Sequence, residues 1–269
     1  MANDFGKPRA MVFYGRGENC HDETVFAYNQ VGANPEKVLY KSFLRKPGIM
    51  RDFQILDFPG GFMDGDDLGS AKAMAFSFRN NDYVMEEVER HIKKGGLIKG
   101  TCNGFQLLVK AGILPGLDGN YRDNSVTLTY NDSGRFEDRW VRLEIDGSGK
   151  SPWTEGMRSA EFPVRHGEGK LVPKDDEVLR RLREEGLIIG RYAGKNGEKN
   201  PGYPRNPNGS VDDIAMLSDP TGRVLGLMPH PEAYLKRTNH PRWTRESLPA
   251  EGEGLQFFRN GVEYVKRNL

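Results

Sequence analysis

One cysteine, two histidine–carboxylate pairs and a glycine turn carry the chemistry this 269-residue chain can be read for. Cys102 stands in Gly100-Thr101-Cys102-Asn103-Gly104, after the apolar run Leu97-Ile98 and before the helical run Phe105-Gln106-Leu107-Leu108. That is the pattern of a nucleophile at a sharp strand-to-helix turn, where small residues two before and two after keep the tight backbone free of side-chain collisions. Amides at the start of the following helix favour the anionic, reactive form of a thiol. A buried cysteine between turn glycines has the same local pattern, so the decision rests on partners elsewhere in the chain.

A cysteine nucleophile needs a base to take and return a proton, and the base needs an orienting group. Two of the five histidines have a carboxylate two residues on: His166-Gly167-Glu168 and His230-Pro231-Glu232. In an extended segment residues i and i+2 share a face, so either pair could set imidazole beside carboxylate. Pro231 favours the second pair, because it keeps the residue before it out of the helical region. His166 is the alternative, with a place beside the site. Attack on a carbonyl also needs donors for the oxyanion. The amide of Asn103 is one candidate, and the amides around Gly61 and Phe62, left uncovered by Pro59-Gly60-Gly61, are the other. A plain strand-ending turn is the competing reading there.

Three further features read as structural. Gly149-Lys150-Ser151 has Glu144 where a phosphate loop needs its first glycine, and Pro152 follows at once. Cys20-His21 lacks the strand–turn–helix context, and Asp64, Asp66 and Asp67 suit a solvated helix start. No metal site is expected.

These groups need a scaffold. Arg9–Tyr14, Val38–Tyr40, Phe53–Phe58 and the run into Cys102 read as strands; Asp22 opens a helix with Val25, Phe26 and Val31 inward, and 81–94 is a helix with Tyr83, Val84, Val88 and Ile92 inward. The alternation predicts an α/β fold: a mostly parallel central sheet with helices on both faces, and a functional crevice at the carboxyl ends of its strands. After Leu114-Pro115-Gly116 the texture changes to period-two strands at 126–130 and 140–145, with further strands at 162–165, 187–192, 214–217 and 224–228. Residues 195–210 read as a loop, and Phe257, Phe258, Val262 and Val265 as the inner face of a last helix. With no repeat or linker, residues 1–269 are expected to form a single domain.

Lys plus Arg (39) balance Asp plus Glu (38), which leaves no charge excess for nucleic acid or a membrane surface. No apolar run reaches the roughly 18 residues of a membrane span, and Met1-Ala2-Asn3-Asp4-Phe5 lacks a leader pattern. Two cysteines fit a reducing, cytoplasmic compartment.

Taken in order, these residues resemble the class I glutamine amidotransferases, which share a flavodoxin-like fold and a Cys-His-Glu triad. Within them the blocks Asn19-Cys20-His21-Asp22-Glu23-Thr24, Pro59-Gly60-Gly61-Phe62, Cys102-Asn103-Gly104-Phe105-Gln106, His166-Gly167-Glu168-Gly169, Asn206-Pro207-Asn208-Gly209-Ser210 and Met228-Pro229-His230-Pro231-Glu232 resemble the family of glutaminase subunits of phosphoribosylformylglycinamidine synthase. The resemblance implies Cys102 as nucleophile, His230 as its acid and base, Glu232 as the orienting carboxylate and Gly61 in the oxyanion hole. It also implies that Gln106, with Phe62, helps hold the substrate glutamine. It further implies a large synthetase subunit, often with a small accessory one, that receives ammonia directly; ATP and Mg belong to that partner, and this chain carries no cofactor. The chain departs from the family at Met63-Asp64-Gly65-Asp66, where Ser-Tyr-Gly-Asp is usual. Two other classes use the same residues: a cysteine hydrolase or peptidase acting alone, and a catalytically silent regulatory subunit.

Overall fold

The computed structural model of the chain describes residues 6–146, 148–195 and 197–269. The first five residues, read above for a leader, and Asn196 of the expected loop lie outside the described residues.

β1 (Arg9–Tyr14) sends Ala10 and Val12 to one face and Met11 and Phe13 to the other, as the two-residue period of a strand buried on both sides requires. α1 (His21–Gln30) buries Thr24, Ala27 and Tyr28 rather than the expected Val25 and Phe26, because the Tyr28 hydroxyl reaches inward to donate to Asp57 at 2.7 Å. β2 (Asn34–Leu39) is a polar edge strand, longer than the expected Val38–Tyr40; Tyr40 already opens α2 (Tyr40–Arg45). After β3 (Ile55–Phe58) come α3 (Lys72–Arg79) and α4 (Asp82–Lys93). The side chain of Asn81 caps α4 by accepting from the Val84 amide. Tyr83, expected inward, stays 47% exposed. β4 (Leu97–Thr101) and α5 (Asn103–Lys110) flank Cys102.

The second half adds β5 (Val126–Tyr130), β6 (Glu137–Ile145), β7 (Ser159–His166), β8 (Glu168–Pro173), α6 (Asp176–Glu184), β9 (Ile188–Ala193), β10 (Ile214–Ser218), β11 (Val224–Leu227) and α7 (Glu253–Asn268). One sheet runs in the order β2-β1-β3-β4-β11-β10-β9-β6-β7. It is parallel from β2 to β11 and antiparallel from β11 to β7. The expected helix-covered parallel sheet is thus present, with the later antiparallel strands extending the same sheet; β5 and β8 pair apart as a ribbon.

Two cores lie on opposite faces. α3, α4 and α5 cover Met11, Phe13, Leu56 and Ile98 on one side, and α1 and α7 cover Ala10, Val12, Ile55 and Leu97 on the other. α7 presents Phe257, Phe258 and Val262 fully buried, each side chain giving about 1.5–3 kcal/mol of burial. Among the described residues no helix is long and apolar enough to cross a membrane.

Candidate active site

The turn expected at Cys102 is present. The residue has φ 49° and ψ −103°, a conformation costing a side chain of order 1–3 kcal/mol, and it caps the N-terminus of α5. A Cβ on Gly100 would lie 2.6 Å from the Gly104 carbonyl, and one on Gly104 would run into the Phe58 carbonyl. Both glycines are therefore steric requirements of the turn.

What brings His230 to Cys102 is strand order. β11 is the parallel neighbour of β4, Leu227 lies level with Thr101, and the Leu227 carbonyl accepts from the Cys102 amide at 2.7 Å. The two carboxyl ends open at one edge of the sheet. His230 is extended (φ −107°, ψ 91°), as Pro231 demands. Residues 231–233 then make one 3₁₀ turn, and that turn, not a continued strand, folds Glu232 back until its Oε1 is 2.6 Å from His230 Nδ1. Both side chains are buried, and Nε2 has no hydrogen-bond partner among the described residues. The Cys102 thiol interacts with this ring, and a Cβ on Gly60 would meet both His230 Cε1, at 2.6 Å, and Cys102 Cβ, at 3.3 Å. Burial disfavours the imidazolium, yet the charge of Glu232 and the contacts of the ring with Cys102, Cys20 and Glu232 outweigh it, so His230 stands well above its ordinary pKa. Burial likewise works against the Glu232 carboxylate, but His230 and then Lys99 hold it below the usual range.

The donors for an oxyanion divide differently from expectation. Gly61 (φ 154°) pairs with Glu18 so closely that a Cβ would lie 2.6 Å from Glu18 Cα. In that bridge the Phe62 amide donates to the Gly17 carbonyl at 2.8 Å, which removes it from the donor set. The Phe62 ring is instead one wall of a 340 Å³ cavity shared with Asn19, Cys20, Arg165 and His230. Asn103 contributes its amide at the open start of α5, and its side chain pins the Met63-Asp64-Gly65-Asp66 loop. Oδ1 accepts from the Met63 amide at 3.2 Å, and Nδ2 donates to Asp66 at 3.3 Å.

Gln106 is not free to grip a ligand in this arrangement. Its Nε2 donates to the Glu168 carbonyl at 2.5 Å and its Oε1 accepts from Asn103 at 3.1 Å, so it braces the 166–168 segment instead. His166 and Glu168 do not pair. His166 Nδ1 meets Asn131 Oδ1 at 3.1 Å, and Glu168 accepts from the Ser70 amide and Lys110. Burial, followed by the charge of His230, pushes the His166 pKa down to about 3.

Sequence reasoning missed four residues around Cys102, His230 and Glu232. Cys20, read as structural, has its Sγ 3.8 Å from His230 Nδ1, and burial pushes its thiol up to about 11. Glu18 is buried, its pKa raised to about 8 chiefly by desolvation, and it accepts from the Cys20 amide at 2.7 Å. Beneath them Lys99 and Asp57 form a fully buried pair at 3.1 Å. A lysine inside an apolar strand was the available signal, since an unpaired buried charge costs about 3–5 kcal/mol. Among the described residues the ligand-type atoms of Cys20, His230 and Glu232 lie within 4.8 Å of one another, but the 2.6 Å hydrogen bond already joins the last two as a dyad.

The assembly is a thiol at a helix start, a buried base with its carboxylate and backbone donors beside it: the parts of nucleophilic acyl transfer. Residues 7–265 match the family of CobB/CobQ-like glutamine amidotransferase domains. The chain is 41% identical over 263 residues to the phosphoribosylformylglycinamidine synthase subunit PurQ of Dehalococcoides mccartyi, covering 97% of this chain and 99% of that one. It is 40% identical to the PurQ subunit of Treponema denticola, covering 96% and 99%. Among solved structures it resembles a chain of the PurLQS structure from Thermotoga maritima, with a TM-score of 0.70 and 27% identity over 96% of this chain and 99% of that one.

Proposed function

Because the chain belongs to the family of CobB/CobQ-like glutamine amidotransferases, we propose that it is the glutaminase subunit of phosphoribosylformylglycinamidine synthase, acting in purine biosynthesis. The observation that carries this reading is the His230–Glu232 dyad at 2.6 Å beside a cysteine held at φ 49°. In the proposed reaction the Cys102 thiolate attacks the side-chain amide carbon of glutamine, and the amides of Asn103 and Gly61 receive the charge that develops on oxygen. The tetrahedral adduct collapses as His230 protonates the departing nitrogen; ammonia leaves and a glutamyl thioester remains. Water, losing its proton to His230, then attacks the thioester, and glutamate and the free thiol are released. Glu232 keeps the imidazole oriented and stabilises its charged form. Phe62 lines the approach, and Gln106 supports the wall behind it.

Ammonia passes to a synthetase subunit, with a small accessory subunit in the complex. ATP and Mg²⁺ act there, since the sequence of this chain offers no phosphate-cradling loop. We take residues 1–269 as one domain, the sheet running unbroken through both halves, and place the reaction in the cytoplasm, where Cys20 and Cys102 stay as free thiols. Conversion of Cys102→Ala in the assembled complex tests the assignment. Glutamine-dependent synthesis is expected to disappear while synthesis from added ammonium salts continues; glutamine hydrolysis that survives the change refutes it. A peptidase would cleave without the partner, and a silent subunit would leave Cys102 unlabelled by a glutamine-mimicking electrophile.

A further inference from the structure

A cavity of about 900 Å³ lies away from the triad, between α3 and the β5–β8 ribbon. Its rim carries three large apolar side chains far out in solvent: Leu68 and Phe76, each 70% exposed, and Tyr130 at 69%. Exposed apolar side chains gathered on the rim of one groove suit an interaction surface. The charges around it are nearly all of one sign. Lys72, Arg79, Lys110 and Lys174 line the groove against the single carboxylate of Glu168, and the ammonium groups of Lys72 and Lys174 have no partner among the described residues.

The groove is wired to the nucleophile. At its floor Lys110 Nζ donates to the Ser70 carbonyl at 2.5 Å and to Glu168 Oε2 at 3.3 Å, while Glu168 Oε1 accepts from the Ser70 amide at 3.1 Å. From the Glu168 carbonyl the chain of bonds continues through Gln106 to Asn103, whose Oδ1 holds the Met63 amide of the loop after Gly61. Asn103 is also the residue next to Cys102.

We propose that this groove is the docking surface for the synthetase subunit. It takes a segment of that subunit presenting apolar side chains flanked by carboxylates, and the Lys110–Glu168 clasp transmits its arrival to the oxyanion loop. The occupant follows from the basic rim, where Lys72 and Lys174 are left unpaired among the described residues and fit an acidic partner, and from continuity with the site that supplies the partner's ammonia. This inference rests on the function proposed above.

The test measures binding of purified synthetase subunit to the full chain and to a Leu68→Asp/Phe76→Asp variant. Thermal unfolding and iodoacetamide labelling of Cys102 serve as controls that the free variant is intact. The variant is expected to bind at least tenfold more weakly, with Lys72→Glu/Lys174→Glu weakening binding as well. Lys110→Met should bind within threefold of the parent but lose most of the stimulation of glutamine hydrolysis that the partner brings. An intact double variant that binds the synthetase with parental affinity overturns the docking surface, as does one whose only change is in self-association. Failure of the unaltered chain to bind the synthetase or hydrolyse glutamine in its presence would instead overturn the function itself.

Discussion

His230-Pro231-Glu232 and His166-Gly167-Glu168 share one spacing and come to opposite ends. In the first, the chain leaves β11, turns at Pro231 and brings carboxylate to imidazole at 2.6 Å. In the second, Gly167 is the point where the chain passes from the large sheet to the ribbon: His166 closes β7, paired with β6, and Glu168 opens β8, paired with β5. Residues two apart along extended chain lie roughly 6.6 Å apart, too far for an imidazole–carboxylate hydrogen bond unless a turn shortens the path. Electrostatics follow geometry: Glu232 raises His230 above its ordinary pKa, while His166, buried without a carboxylate, is driven down to about 3. Spacing offers a dyad, and the backbone between the residues decides whether one forms.

The widest separation between the pairs is expected in catalysis. Converting His230→Ala should lower glutamine hydrolysis in the complex about 10³-fold, the scale of a lost general acid and base. His166→Gln should cost less than tenfold, and equal losses would erase the distinction drawn here. A smaller effect should come from Glu232→Gln. Steady-state rates are expected to fall about 100-fold near neutral pH, because the imidazolium loses its counter-charge and its pKa falls. The alkaline limb of the pH–rate profile should move to lower pH; an unmoved limb would separate Glu232 from the titration of His230.

The smallest effect concerns stability alone and belongs to His166. Its folded pKa of about 3 lies below the ordinary 6.5, so as pH falls below about 6.5 the unfolded chain gains a proton that the folded one refuses. Stability is lost across that window and is unaffected by this group above it. Urea unfolding at pH 7 and pH 5 should therefore give a difference smaller by about 2 kcal/mol in His166→Gln than in the parent. His230, shifted in the opposite direction, cannot supply this acid loss.

The parallel half of the sheet was legible because strands buried on both faces read as short apolar runs, and β1 and β4 fall on the expected residues. α6 went unread: Val178 and Leu182 are its only buried residues, too thin a stripe to signal, though Asp175 caps it by accepting from the Val178 amide. β2 was shortened because an edge strand carrying Pro35, Glu36 and Lys37 looks like a loop. At the site, Phe62 and Gln106 were placed by motif, but whether an amide is free depends on what lies opposite it, here the carbonyls of Gly17 and Glu168.

The sequence by itself determined the local geometry of each candidate catalytic piece. Gly100 and Gly104 permit the elbow, Pro231 fixes His230 as extended, and α5 starts directly after Cys102. These are steric and dipolar properties of a few adjacent residues, complete without the rest of the chain. Only the tertiary structure decided that β11 lies beside β4, that Cys20 reaches within 3.8 Å of His230, and that Gly61 is held by Glu18. Strand order and loop contact are set by which distant surfaces bury each other, and no spacing within one segment encodes that choice.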